Sequence, residues 1–82
     1  MQHNNYSIKH EKLQLDIKIG KNIQNFRLNH FYSIEQFAES IGLSVSHLHL
    51  IENGERSITP FVMSRLAREF NISIDNLVFD YI

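Results

Sequence analysis

The stretch SIEQFAESIGLSVSHLHLIENG, residues 33–54, decides the fold that this chain is expected to adopt. Ser33 is a favoured helix N-cap residue, and Gln36 three positions later completes a Ser-x-x-Gln capping box. Gly42 provides a residue that adopts positive φ without strain, as many helix ends require. Ser44 then caps a second helix. The stretch therefore predicts two short helices joined by a tight turn.

Apolar residues recur at helical spacing in both halves of this stretch. They are Phe37, Ala38 and Ile41 in the first helix and Leu48 and Ile51 in the second. Since residues three and four apart share one face of a helix, each helix has one face to bury. Two helices with a short, glycine-containing connector form an αα-corner, which is the geometry of a helix-turn-helix motif.

Helical patterns flank this motif on both sides. Before it, a first helix begins near Asp16 or only after Gly20, because glycine weakens a helix interior. After it, Thr59 followed by proline starts a fourth helix, and Ser73 caps a short fifth. No segment alternates as a long strand would. The predicted fold class is therefore all-α, with five helices in one compact domain.

Length and composition are those of a small globular domain. The chain has 82 residues, of which 43% are hydrophobic and 21% charged, so a modest core is possible. We expect a flexible N-terminal arm over residues 1–15, a helical domain over residues 16–79 and a tail over residues 80–82. The net charge is −1, but residues 1–28 hold five basic and two acidic residues, and residues 29–82 hold three and seven. A polyanion would therefore meet the N-terminal part and selected arginines.

Several classes of protein and site are excluded by what the sequence lacks. Without cysteine there are no disulfides or thiolate metal sites, and the cytoplasm is the expected location. No apolar run approaches the ~20 residues of a membrane span, so no membrane partner is expected. His47 and His49 lie about 200° apart on a helix and cannot chelate one metal ion together. Without a nucleophile–base pair or a glycine-rich phosphate loop, we expect neither an enzyme nor a cofactor.

The run from Ile19 to about Phe79, about three quarters of the chain, contains a set of sequence elements in a fixed order. They are Arg27, Phe37-Ala38, Gly42-Leu43-Ser44, Ile51-Glu52-Asn53-Gly54 and Asn71-Ile72-Ser73-Ile74-Asp75-Asn76-Leu77. With these residues the chain resembles the Cro/repressor-like helix-turn-helix family of bacterial and phage regulators, also called the xenobiotic response element type. The resemblance implies a lambda-repressor-like fold of five helices, a third helix in the DNA major groove and usually a homodimer. It also implies a buried ion pair between Arg27 and Glu52 that ties the first helix to the third.

Helix geometry indicates which side chains of the third helix would meet DNA. With Leu48 at the centre of the buried face and about 100° per residue, four residues point away from the core and two lie at its margin. The outward residues are Ser46, His49, Leu50 and Asn53, and the marginal ones are Val45 at the helix start and His47 at one flank. The family pattern assigns base contacts to Val45, Ser46, His49 and Leu50. None of these four can make the bidentate base contacts of arginine, glutamine or asparagine.

Phosphate contacts are expected from other positions. By the same resemblance, Asn53, Arg56 and Ser57 in the loop after the third helix contact phosphate. The backbone amides of Ser33 and Ser44 at helix N-termini are further candidate donors. For Arg56, a solvated loop charge is the alternative interpretation.

The apolar C-terminal residues are a candidate dimer contact. They are Leu77, Val78, Phe79, Tyr81 and Ile82. Alternatively, Leu77 and Phe79 complete the monomer core and the last two residues fray.

Together these features predict a sequence-specific, double-stranded-DNA-binding transcriptional regulator. It would act as a repressor and bind a roughly palindromic operator as a dimer. The alternative is a protein-interaction module on the same fold, such as an antitoxin or antagonist subunit. Exposed Leu50 beside Val45, on a helix without lysine or arginine, favours that alternative.

Overall fold

A computed structural model describes residues 5–79, and five α-helices account for all the regular structure among them. The helices are α1 Asn5–Asn29, α2 Ile34–Ser40, α3 Val45–Glu52, α4 Pro60–Phe70 and α5 Ile74–Phe79. The predicted all-α fold of five helices is therefore confirmed. Within the described residues, no helix is long and apolar enough to cross a membrane.

The first helix begins much earlier than the sequence predicted. α1 starts at Asn5 and continues through Gly20 without a break, so residues 5–15 are helical and the expected arm is wrong for them. Residues 1–4 lie outside the described part of the chain. These early turns are rich in strong helix formers, but Ile8 and Leu13 stay 53% and 49% exposed. Local propensity therefore forms this segment with little help from the core.

Side-chain caps fix the two helices of the central motif. The Ser33 hydroxyl accepts from the Gln36 amide at 3.0 Å, and the Gln36 side chain accepts from the Ser33 amide at 3.0 Å, which is the predicted capping box. The Ser44 hydroxyl accepts from the His47 amide at 3.1 Å. Gly42 lies between the helices with φ of 72°. The turn therefore has the backbone that its sequence favours.

The last two helices also begin at the predicted residues. The Thr59 hydroxyl accepts from the Val62 amide at 3.2 Å, with proline at the first helical position of α4. Asn71 ends α4 in the left-handed conformation, and the Ser73 hydroxyl accepts from the Asn76 amide at 3.2 Å to cap α5. Backbone amides in the first turns of α4 and α5 are thus hydrogen-bonded by side chains that lie just before each helix.

All five helices contribute to one hydrophobic core. Its buried apolar residues are Ile19, Ile23, Phe37, Ala38, Ile41, Leu48, Ile51, Val62, Leu66, Ile72 and Leu77. Beside it lies an aromatic cluster of Phe26, Tyr32, Phe37 and Phe70, in which the Phe37 and Phe70 rings stack with centroids 4.8 Å apart. The inner faces of α2 and α3 both pack into this core.

α1 and the end of α3 approach each other at two glycines. A Cβ atom on Gly20 would lie 2.0 Å from the Ile51 carbonyl oxygen and 3.0 Å from that of Glu52. One turn earlier, a Cβ on Gly54 would lie 2.6 Å from a side-chain carbon of Ile17. Glycine is therefore required at Gly20 for helix packing, although a residue-by-residue propensity scale counts it as a weak point.

A buried asparagine joins α1 to α5. Asn22 is 7% exposed, and its side-chain amide donates to the Leu77 carbonyl at 2.5 Å. Because a buried polar group needs a partner, this bond fixes the end of the chain against the first helix.

Candidate nucleic-acid interface

The two faces of α3 differ sharply in burial. Leu48, Ile51 and Glu52 are buried, with at most 5% of their surface exposed. Of the outward residues predicted from helix geometry, Ser46, His49 and Asn53 are exposed and Leu50 is half-buried. Val45, predicted at the margin, is also half-buried. The structure therefore brings the candidate base-contacting residues together on one accessible side of the helix.

His47 lies at the margin of this surface. It is half-buried, and its Nε2 atom is buried without a hydrogen-bond partner within the described part of the chain. Its position agrees with a flank residue and not with the centre of the outer face. The open part of α3 consists of Ser46, His49 and Asn53, with Val45 and Leu50 at its edges.

Backbone amides at the N-termini of α2 and α3 were the predicted phosphate donors, and only α3 still offers them. The Ser33 amide donates to the Gln36 side chain at 3.0 Å, so it is already engaged and the predicted phosphate contact from this amide is corrected. Ser44 uses its hydroxyl to cap the His47 amide and remains exposed. Because the first amides of a helix have no acceptor within the helix, the start of α3 still presents donors to an anion.

The loop after α3 carries charges of both signs. Arg56 and Glu55 are exposed, and the Asn53 side-chain amide donates to the Glu55 carboxylate at 3.3 Å. The arginine would attract a phosphate, whereas the neighbouring carboxylate would repel it. The net electrostatic attraction of this loop is therefore small unless another cation lies nearby.

Ser57 does not have the free hydroxyl that a phosphate contact requires. Its Oγ donates to Asp16 Oδ2 at 2.6 Å and accepts from Lys12 Nζ at 2.6 Å. The expectation of a direct Ser57–phosphate contact is therefore corrected, because both hydrogen-bonding roles of the hydroxyl are filled from α1. Lys12 Nζ also lies 3.2 Å from Asp16 Oδ2.

Sequence reasoning missed Lys12 and Asp16 as neighbours of the candidate interface. Their spacing of four residues was the available signal, since such pairs share one helix face. The predicted arm over residues 1–15 places Lys12 outside any helix, so this pairing does not follow from that prediction. Once α1 begins at Asn5, both residues lie beside the loop after α3.

Arg27 and Glu52 join α1 to α3 behind the candidate interface. Arg27 Nε lies 2.7 Å from one Glu52 carboxylate oxygen and Nη2 lies 3.1 Å from the other, and Nη1 donates to the Tyr32 carbonyl at 3.1 Å. The Glu52 side chain is 1% exposed. Hydrogen bonding to Glu52 raises the pKa of Arg27 above its usual value, so the guanidinium stays charged. The pair therefore orients α3 from its buried side.

The predicted dimer residues divide between core and surface. Leu77 is fully buried, so it belongs to the monomer core and its place in a dimer contact is corrected. Val78 is half-buried and Phe79 is 56% exposed, and with Leu15 of α1 they line a shallow apolar groove between α1 and α5. Tyr81 and Ile82 lie outside the described residues. The accessible apolar surface at this end is therefore Val78 and Phe79 together with part of α1.

No group of three His, Asp or Glu side chains comes together at metal-binding distance among residues 5–79. His47 and His49 lie on different sides of α3, one half-buried and one exposed.

Comparisons with known proteins agree with this architecture. The sequence model of the helix-turn-helix family matches residues 23–77, which is more than half of the chain. The antitoxin PezA of Streptococcus pneumoniae serotype 4 is 33% identical over 60 residues, covering 73% of this chain and 38% of PezA. The uncharacterized HTH-type transcriptional regulator YazB of Bacillus subtilis is 40% identical over 58 residues, covering 71% of this chain and 84% of YazB. The chain thus spans well under half the length of PezA but most of YazB, and no solved structure gives a significant match.

Proposed function

Because this chain belongs to the helix-turn-helix family of the Cro/repressor-like, xenobiotic response element type, we propose that it is a transcriptional repressor that binds double-stranded DNA sequence-specifically. The observation that supports this function best is the exposed outer face of α3, opposite a fully buried inner face. An α-helix fits the major groove, and side chains on its outer face reach base edges. α3 therefore enters the groove in this proposal.

Base readout by α3 would rest on an unusual set of side chains. Val45 and Leu50 would pack on thymine methyl groups, and His49 would donate to guanine N7. Ser46 would bond a phosphate or a base edge. Because none of these makes a bidentate contact, we expect each position to discriminate weakly, at the lower end of ~1 to 3 kcal/mol per base pair.

Binding as a homodimer would compensate for weak readout by a single helix. Two copies related by two-fold symmetry would contact half-sites about one helical turn apart on a roughly palindromic operator. Val78 and Phe79, with Tyr81 and Ile82 beyond the described residues, supply the proposed dimer contact.

Truncation after residue 79 tests the dimer contact. The shortened chain keeps all five helices and loses the aromatic and aliphatic residues at its end. We expect it to be a monomer by size-exclusion chromatography with light scattering, at a concentration where the full chain is a dimer. A truncated chain that remains dimeric would exclude Tyr81 and Ile82 from the contact and leave Val78 and Phe79 as its candidates.

Arg56→Ala tests the proposed phosphate contact, with Arg68→Ala as the matched control. Both arginines are exposed, but Arg56 follows α3 whereas Arg68 lies in the last turn of α4. Arg56→Ala should weaken binding to duplexes of every sequence and reduce the slope of log affinity against log salt concentration by about 1. Fluorescence anisotropy titrations over a range of salt measure this slope. Equal slopes for the two variants would remove Arg56 from the interface.

The similarity to the antitoxin PezA favours one alternative function, a module that binds a protein. Half-buried Val45 and Leu50, on a helix without lysine or arginine, would suit a protein surface as well as a groove. Titration with a random duplex at low salt separates the two functions, because bulk phosphate attraction supports binding of a DNA-binding domain under those conditions. Loss of all duplex binding there would favour the protein partner.

A further inference from the structure

The N-terminal half of α1 runs along the loop that follows α3. Contacts between the two segments occur in antiparallel order: Gly20 meets the carbonyls at the end of α3, Ile17 meets Gly54, and Lys12 meets Ser57. The loop proposed to contact phosphate is therefore bordered along its length by one side of a helix. Residues on that side of α1 are held beside the candidate interface.

Lys12 is a cation of α1 that hydrogen-bonds directly to the loop. Its Nζ atom lies 2.6 Å from the Ser57 hydroxyl and 3.2 Å from Asp16 Oδ2. The side chain of Lys12 is 68% exposed, whereas that of Asp16 is 15% exposed. The carboxylate is thus covered, and the ammonium group lies on the solvent side of the pair.

Ser57 and Asp16 hold Lys12 in place. The Ser57 hydroxyl donates to Asp16 at 2.6 Å, so the three side chains form a closed set of hydrogen bonds between α1 and the loop. A lysine whose position is already fixed loses less conformational entropy when it binds a phosphate. This set therefore holds the Lys12 ammonium against Ser57, the residue that follows Arg56.

From this geometry we infer that Lys12 is a further DNA phosphate contact, and that α1 extends the DNA-binding surface beyond the helix-turn-helix motif. The inference rests on the proposed DNA-binding function. Ser57, whose hydroxyl is occupied, positions the lysine and does not contact phosphate itself. Lys9 lies one turn earlier and about 60° away around α1, and it is also exposed. It adds a second positive charge on the same side of the helix as Lys12.

This contact compensates for a deficit in the loop. Glu55 is exposed and bonded to Asn53, and it opposes the charge of Arg56. Since exposed charges within about 10 Å act on the same ligand at moderate salt, the exposed ammonium of Lys12, on the solvent side of the covered Asp16 carboxylate, adds an accessible cation beside Arg56. The surplus of basic residues before residue 28 thus gains a specific position relative to α3.

The test compares Lys12→Ala with Lys21→Ala in the full chain. Lys21 is an exposed lysine of the same helix, about 180° around its axis from Lys12. The probe is a fluorescein-labelled random-sequence duplex, titrated by anisotropy between about 50 and 200 mM salt. Lys12→Ala should weaken binding at least about threefold and lower the salt slope by about 1, and Lys21→Ala should leave the slope unchanged.

A Lys12→Arg variant separates a phosphate contact from a purely structural role. Arginine keeps the charge and should retain the unaltered salt slope, even if its bond to Ser57 changes. Equal slopes for Lys12→Ala and Lys21→Ala, while the unaltered chain binds the duplex, would overturn the inference and leave the proposed function intact. Absence of any duplex binding by the unaltered chain would overturn both.

Discussion

The inner and outer faces of α3 are determined by different physics. On the inner face, Leu48 and Ile51 fill the core and Glu52 is held by Arg27, so each residue has partners within the chain. On the outer face, Ser46 and His49 are exposed and serve no core contact. Packing therefore specifies how α3 is presented, and leaves open what it binds.

The largest expected effect comes from breaking the ion pair behind the inner face. Arg27→Ala would leave the Glu52 carboxylate, 1% exposed, without its charged partner. Removing one partner of a buried pair costs about 3 to 5 kcal/mol, so the free energy of unfolding should fall by that amount. Urea denaturation followed by circular dichroism measures this change.

Arg68→Ala is the control for this experiment, because Arg68 is exposed and its loss should change stability by no more than ~0.5 kcal/mol. If Arg27→Ala were as mild as Arg68→Ala, the inner face of α3 would not depend on the pair.

A smaller loss of stability is expected from Gly20→Ala, which pushes α1 away from α3. The added Cβ would lie 2.0 Å from the backbone carbonyl of Ile51, which cannot move without shifting α3. We expect a cost of about 1 to 3 kcal/mol, measured as a lower Tm. Intrinsic helix propensity alone predicts the opposite sign, a gain of roughly 1 kcal/mol. A higher Tm for Gly20→Ala would show that the close approach of the two helices is not rigid.

The smallest effect on stability is expected on the outer face. A double variant Ser46→Ala and His49→Ala removes two exposed side chains without opening a cavity, so its free energy of unfolding should change by at most ~0.5 kcal/mol. Its affinity for a selected duplex should nevertheless fall about tenfold or more, because both side chains face the bases in the proposed complex. A stable variant with unchanged affinity would move the binding surface away from α3.

Sequence patterns predicted the parts of the fold that depend on local rules. Ser33, Ser44 and Thr59 cap the helices as their residue types favour, and the buried faces follow helical periodicity. The beginning of α1 was missed because its early turns have exposed Ile8 and Leu13 and no stripe of core residues. Hydrophobic periodicity marks the buried face of a helix. A helix that forms mainly through intrinsic propensity has little buried face and therefore lacks this pattern.

The details of the candidate site depended on contacts between distant segments, which sequence patterns do not encode. The resemblance implies a phosphate contact for Ser57, but its hydroxyl is bonded to Asp16, 41 residues earlier in the chain. For Leu77 the sequence left both a dimer contact and the monomer core open, and it lies in the core beside Asn22. In both cases the residue type was compatible with either position, and only packing against α1 decided between them.

Selection of bound duplexes from a random pool tests the central claim most directly, because it asks whether the outer face of α3 reads DNA sequence. We predict enrichment of a roughly palindromic sequence whose half-sites are about one helical turn apart, with enrichment lost in the Ser46→Ala and His49→Ala double variant. A pool that stays random after repeated rounds with the unaltered chain would contradict it.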